Sequence, residues 1–262
     1  MNWTQLGWQL LMGWLAVATA MVLAWVWQRR TRNASVVDVV WTFSTGALAV
    51  YYAWTAAGLL SRRLLIAGLF SAWALRLGTH LLPRLIHGEE DRRYQKMRRD
   101  FGPRADLRFF VFFQIQAIVA PLFAAVAWIA GQTAESLSPF DIAGAVLGGS
   151  AIAGEWLADR QLAHFRATHD SKKVCNLGLW RYTRHPNYFC EWLFWCSLVL
   201  FAMASPWWWL TLAAPLAMFY FLNFVTGIPP AEAQAIAKRG DEYRTYQART
   251  SAFFPWPPTR TN

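Results

Sequence analysis

Long apolar runs, separated by short charged ones, set the character of this chain. Seven runs stand out, at 8–28, 36–58, 64–86, 109–130, 140–158, 189–204 and 206–226. Each is near the roughly 20 residues that an α-helix needs to cross the hydrocarbon of a bilayer. The pattern predicts an all-α, polytopic membrane protein with seven transmembrane helices. It reads as one domain over 1–262, with substrate-side helices in 1–130 and cofactor-binding helices, loops and tail in 131–262. The first run is too long and too rich in tryptophan for a signal peptide. Two stretches rich in proline and tryptophan, SPWWWL (205–210) and FFPWPP (253–258), have interfacial character, because tryptophan favours the headgroup level. The first predicts a tight turn between the last two spans. The second cannot be helical, and predicts a tail that packs back on the protein.

Composition supports a membrane protein. Hydrophobic residues make up 56% of the chain and charged ones 15%, well under the roughly 25% charge of a soluble domain. The net charge of +10 would suit nucleic acid, but its placement argues otherwise. Of 25 Lys and Arg, 22 fall in the segments 29–33, 84–108, 159–188 and 227–262, at and beyond the ends of the odd-numbered spans, and only Arg62 and Arg63 fall in the opposite loops. This is the positive-inside pattern. It places the N-terminus outside and the C-terminus in the cytoplasm, and it assigns the basicity to membrane topology and lipid contact rather than to a nucleic-acid partner. The three cysteines, Cys175, Cys190 and Cys196, form no C-x-x-C pair; no metal site or disulfide framework is predicted.

Ionisable residues inside a span are costly, so each is a functional candidate. Asp38 lies in SVVDVVWTF near the start of the second span, where it reads as a helix cap or as a reacting group. Arg76 and His80 lie four apart in the third span, on one helical face. Arg76 can also snorkel to the surface, and His80 reads equally as a packing histidine. Gln114, Gln116 and Asn223 suit helix–helix contacts. Glu155 and Asp159 are again four apart, at the end of the fifth span. In the charged segment HGEEDRRYQKMRRDFG (87–102), Glu90 and Tyr94 are expected to share a helical face, and Arg98 and Arg99 to lie on a solvated one. A tyrosine hydroxyl beside a carboxylate can act as a proton donor to a polarised carbonyl.

The densest polar chemistry is RYTRHPNYFCEW (181–192), at the mouth of the sixth span. Proline favours the first helical position, so a helix is predicted to begin at about Pro186, with Asn187, Tyr188 and Glu191 in its first turns. Arg181, Arg184 and His185 precede it. Free N–H groups at a helix start, together with two arginines, suit an anionic group such as phosphate. The glutamate suits a hydroxyl or amide. The stretch therefore predicts a large cofactor with an anionic end and a neutral polar end. There is no G-x-G-x-x-G and no P-loop motif.

GLWRYTRHPNYFCEW resembles the C-terminal signature of the steroid 5-alpha-reductase superfamily of integral-membrane reductases, and is most similar to its bacterial branch. The likeness continues in D-E-Y-R-x-Y-x-x-R-T-S-x-F-F-P-W (241–256), in W-x-L-R-L-G-x-H-L (73–81), in E-D-x-R-Y (90–94) and in VVDVVW. Cys190 departs from the pattern, which has glycine there. The resemblance implies an NADPH site at Arg181, Tyr182, Asn187, Tyr188 and Glu191, with Asp159 and Arg166 upstream and Tyr243 and Arg244 in the tail. His185, inside the same motif, is counted with them. It implies an acidic residue and a tyrosine around the substrate carbonyl. Asp38 is the nearest match to the first; Tyr94, Arg76 and His80 are the candidates for the second.

The reaction so implied is hydride transfer from NADPH to the β-carbon of a conjugated enone in a lipophilic, steroid-like substrate, in a bacterial inner membrane with the active site facing the cytoplasm. The alternative is a membrane methyltransferase using S-adenosylmethionine. The isoprenylcysteine and phospholipid methyltransferases resemble the chain through R-H-P-x-Y. S-adenosylmethionine has no phosphate, whereas Arg166, Lys172, Lys173, Arg181 and Arg184 suit the phosphates of NADPH.

Overall fold

A computed structural model describes residues 2–259. It is all-α, with 80% of residues helical, and no strand occurs among the described residues. The α-helices are α1 (Trp3–Thr31), α2 (Val36–Thr55), α3 (Leu60–His87), α4 (Arg92–Phe101), α5 (Ala105–Ala130), α6 (Pro139–Thr168), α7 (Pro186–Ala202), α8 (Ala213–Tyr220), α9 (Ile228–Arg239) and α10 (Asp241–Arg249). Among the described residues, five helical stretches are long and apolar enough to cross a membrane: Trp3–Thr31, Val36–Thr55, Leu60–Ile86, Arg92–Ala130 and Trp208–Arg239. The fifth and sixth apolar runs fall on α6 and α7. The second half of α6 carries Glu155, Asp159, Arg160 and Arg166, and α7 has only 17 residues.

The chain divides into two compact units. One comprises Met1–Ile142 with Leu198–Thr211, the other Ala143–Ser197 with Leu212–Asn262.

In the first unit α2 packs along both α3 and α5, and α1 packs on α5. Small residues set these distances, as is usual where helices meet in lipid. A Cβ on Gly46 would collide with Ala74 of α3, and one on Gly13 of α1 would collide with the Tyr52 hydroxyl. That hydroxyl donates to Gln9 O at 2.7 Å. The core is aromatic: Trp73, Phe70, Phe109, Phe113 and Trp128 are fully buried. At the end of the unit where α2 turns into α3, Arg62 is fully buried. It pairs with Asp141 through two bonds of 2.6 and 2.9 Å and donates to the carbonyls of Thr133 and Glu135. This latch ties the start of α3 to the loop before α6. The predicted turn at SPWWWL is present, with a short 3-10 helix at Trp208–Leu212, and Trp207 meets Trp3 edge-on.

In the second unit α7 begins at Pro186, as its sequence predicts. The GLWR turn before it is pinned on α6 by two bonds, Trp180 Nε1 to Ala158 O and Leu179 N to Gln161 Oε1, each 2.9 Å. Gly178 has φ +57°, and a Cβ there would strike Gln161, so this turn requires glycine. Cys190, the departure from the signature, packs its sulfur against Gly154 of α6. A larger residue at 190 is thus accommodated by a missing side chain opposite. After α8 the helix loosens into a π-helical segment, Phe221–Val225, where the Asn223 side chain donates to Phe219 O. The tail is non-helical over 250–259, and Phe253 and Phe254 pack on Phe189, Trp192 and Phe219.

Candidate functional site

Most of the predicted residues gather in two clusters, one in each unit.

In the first unit the cluster forms where the start of α2 meets α4. Asp38 stands in the first turn of α2, where a carboxylate also complements the helix dipole. Its Oδ1 accepts the Tyr94 hydroxyl at 2.6 Å, and its Oδ2 accepts Arg93 Nη2 at 3.1 Å. Arg93 reaches back to Asp91 through Nε at 3.1 Å. Asp91 caps α4 by accepting the Arg93 N–H, and its own N–H donates to Ser35 Oγ. Burial opposes ionisation of Asp91, but the Arg93 guanidinium outweighs it and holds the carboxyl below its usual range. The Tyr94 ring is buried against Phe109 and Phe112. Asp38 therefore has a phenol and a guanidinium on its two oxygens, both from α4.

Two expectations fail nearby. Glu90 does not share a helical face with Tyr94, because α4 starts only at Arg92. Glu90 lies before it and accepts the Ala34 N–H at 2.8 Å. Arg98 is not on a solvated face. It grips Glu90 through two bonds of 2.6 and 3.2 Å and donates to Gln28 of α1. An ion pair between a turn and a helix is not visible in helical spacing. Arg99 is exposed as expected. Arg76 and His80 lie one turn apart on α3, both half-buried, but the groups bonded to Asp38 come from α4. A cleft of about 340 Å³ between α2 and α3, lined by Tyr51, Trp54, Arg63 and Leu64, lies on the face of α2 opposite Asp38.

In the second unit the cluster surrounds the start of α7. Asn187 Nδ2 donates to Asp159 of α6 at 3.2 Å. Arg181 and Tyr182 are exposed on the preceding turn. Tyr188 stacks on His185, with ring centroids 5.3 Å apart. Arg166 is exposed at the end of α6, and it and Arg239 both act electrostatically on Cys175. Glu191 is buried and accepts Trp195 Nε1 at 2.8 Å.

The hub of this cluster is Glu232 on α9, which sequence reasoning missed. It accepts Arg184 Nε at 2.6 Å, His185 Nε2 at 3.2 Å and Gln247 Nε2 at 2.7 Å. Arg184 also donates to the carbonyls of Gln247 and Thr250, and its N–H to Ser251 O. Thr183 donates to Phe253 O, Tyr246 to Trp180 O, and Trp256 N to Tyr182 O. The tail is thus strapped across residues 180–185. Burial lowers the His185 pKa despite Glu232, and burial raises those of Tyr243 and Tyr246. Arg244 stays exposed and pairs with Asp241. No spacing rule links Glu232 to Arg184, 48 residues earlier; Arg93 was hidden among the many arginines of a basic loop.

As a binding surface, the entry to α7 offers Arg181, Tyr182, Asn187 and Tyr188, a donor set that fits an anionic cofactor with polar groups. Arg184 does not belong to that set, because Glu232 neutralises it. Residues 24–250 match the model of a family described as "Protein of unknown function (DUF1295)". That is most of the chain, and the chain belongs to this family. No curated protein and no solved structure matched it.

Proposed function

We propose that this chain is an NADPH-dependent membrane reductase that saturates the C=C bond of a conjugated enone in a lipophilic, steroid-like substrate. The supporting observation is the pairing of Asp38 with Tyr94 at 2.6 Å, an acid and a phenol of the kind that the resemblance to the 5-alpha-reductase superfamily implies. In this reading the seven apolar runs all cross the membrane, the N-terminus lies outside, and the active site faces the cytoplasm of a bacterial cell.

NADPH, when bound, supplies the hydride that the β-carbon receives. A ketone oxygen reaching the pair takes the Tyr94 hydrogen bond in exchange for Asp38. Arg93, 3.1 Å from Asp38, holds the released carboxylate. The C=C electron pair moves toward the oxygen as an enolate, which the Tyr94 O–H stabilises. Tyr94 passes its proton to the enolate oxygen, and water moves a proton from that oxygen to the α-carbon, giving the saturated ketone. Asp38, with its side chain 29% exposed, is placed to pass a proton from water to Tyr94. Arg181, Asn187 and Tyr188 are assigned to orient the cofactor.

A second reading, an S-adenosylmethionine-dependent methyltransferase, is favoured by one observation. Arg184, the arginine nearest the start of α7, is already neutralised by Glu232, which removes one phosphate partner. The test is to supply the purified protein with NADPH and a panel of conjugated enones, following NADPH oxidation and a product two hydrogens heavier. Turnover supports the reductase. Absence of turnover, with thermal stabilisation by S-adenosylmethionine alone, overturns it.

A further inference from the structure

The α2 face that carries Asp38 continues inward with two polar groups that the protein does not use. Trp41 and Thr45 follow Asp38 by three and seven residues, so the three share one stripe. Among the described residues, the Trp41 Nε1 and Thr45 Oγ1 atoms are buried without a hydrogen-bond partner. Both depart from what their neighbours do. Thr42, Thr55 and Thr79 each return the hydroxyl to a backbone carbonyl one turn back, whereas Thr45, 0% exposed, does not. The indoles of Trp25, Trp180, Trp192 and Trp195 all donate to oxygen. Trp41 instead lies among rings, edge-on to Trp73 and Phe123 at 6.1 and 5.9 Å.

A buried donor without an acceptor is destabilising, and apolar surroundings supply no water to relieve it. Native structures keep few such groups, and each calls for a partner. Other orphaned atoms lie elsewhere: Gln28 Nε2 and Arg98 Nη1 by the Glu90 pair, Gln9 Oε1 near the far end of α2, and Trp128 Nε1 near the end of α5. Gln114 Nε2 is a further one on α5, the helix that packs along α2.

We infer that the ligand held at Asp38 and Tyr94 carries a second hydrogen-bonding oxygen, received by the Trp41 indole N–H and the Thr45 hydroxyl. The inference rests on the reading of Asp38 and Tyr94 as the carbonyl site. At about 1.5 Å of rise per residue, the two groups stand about 5 Å and about 10 Å along the helix from Asp38. The substrate class is then a lipophilic enone with a ketone, hydroxyl or ester oxygen well removed from the reacting carbonyl, rather than a hydrocarbon tail alone.

The test uses the full chain in detergent and two tetracyclic enones that differ only by a ketone at the far end of the ring system. Wild type is expected to bind the diketone about tenfold more tightly, the worth of one well-placed bond to a buried donor. Trp41→Phe with Thr45→Val should bring that preference below about threefold and leave the mono-ketone affinity unchanged. Thr45→Ser with Trp41 intact, which keeps both donors, should retain it. Equal affinities in wild type, or a preference that survives in the double variant, overturn the inference. Asp38→Asn with Tyr94→Phe separates the two readings. If it weakens both enones alike, the carbonyl site stands whatever the diketone preference. If it leaves mono-ketone binding intact, or if neither enone binds wild type, the carbonyl site fails and this inference fails with it.

Discussion

The Tyr94 hydroxyl donates to Asp38 Oδ1 over 2.6 Å, across a sequence separation of 56 residues. Each residue is ambiguous alone, since Asp38 can serve as a helix cap and Tyr94 as core. Together, with Arg93 on the second carboxylate oxygen, they form a donor–acceptor pair with a fixed geometry.

Asp38→Asn and Tyr94→Phe should each lower enone reduction by about 100-fold or more, the usual scale for removing a positioned proton donor. The double variant should be little worse than either single one, because groups that act as a unit are not additive. Steady-state NADPH oxidation measures the loss, and retained thermal stabilisation by NADPH shows that folding and cofactor binding survive. Independent, multiplying losses would count against a joint role.

Cofactor identity should appear in thermal stabilisation of the purified protein. A ligand at about 100 times its Kd adds about 2.7 kcal/mol to the folded state. NADPH should shift the melting temperature and S-adenosylmethionine should not. Asn187→Ala should reduce the NADPH shift without lowering the ligand-free melting temperature much. Glu191→Ala should lower the ligand-free value itself, because Glu191 is buried on Trp195.

Arg62→Ala should destabilise the first unit by about 3–5 kcal/mol, since it leaves Asp141 buried and unpaired. Arg62→Met with Asp141→Leu should cost less than Arg62→Ala, although the carbonyls of Thr133 and Glu135 lose a donor. Unfolding followed in detergent by tryptophan fluorescence distinguishes the two. Equal losses would show that the carbonyl bonds, not the ion pair, carry the latch.

Stability should depend on pH through His185, which Glu232, Arg184 and the Tyr188 ring surround. Burial holds its pKa below the ordinary value. Above about pH 6.5 both folded and unfolded chains are neutral there. As the pH falls, the unfolded chain takes up the proton first, so stability declines from about pH 6.5 until the lower folded pKa is passed. The melting temperature should be flat above about pH 7 and fall below it, and His185→Gln should flatten that fall. A rise on acidification would mean instead that Glu232 holds His185 charged.

By itself the sequence determined the class and the elements. Apolar runs near the length of a bilayer span dictate helices, Pro186 dictates where α7 begins, and FFPWPP dictates a non-helical tail, because backbone geometry and hydrophobic length are local properties. It also picked out Asp38 and Asp159, since polar groups in or at the ends of apolar segments are costly and stand out, Tyr94 beside carboxylates in a charged segment, and Asn187 in the first turn of the helix that Pro186 starts. Only the tertiary structure decided who pairs with whom. It drew Arg98 onto Glu90, set Glu232 between Arg184 and His185, buried Glu191 on Trp195 and left Trp41 and Thr45 without acceptors. Those outcomes depend on distances across helices far apart in the chain, and no periodicity along one helix encodes them.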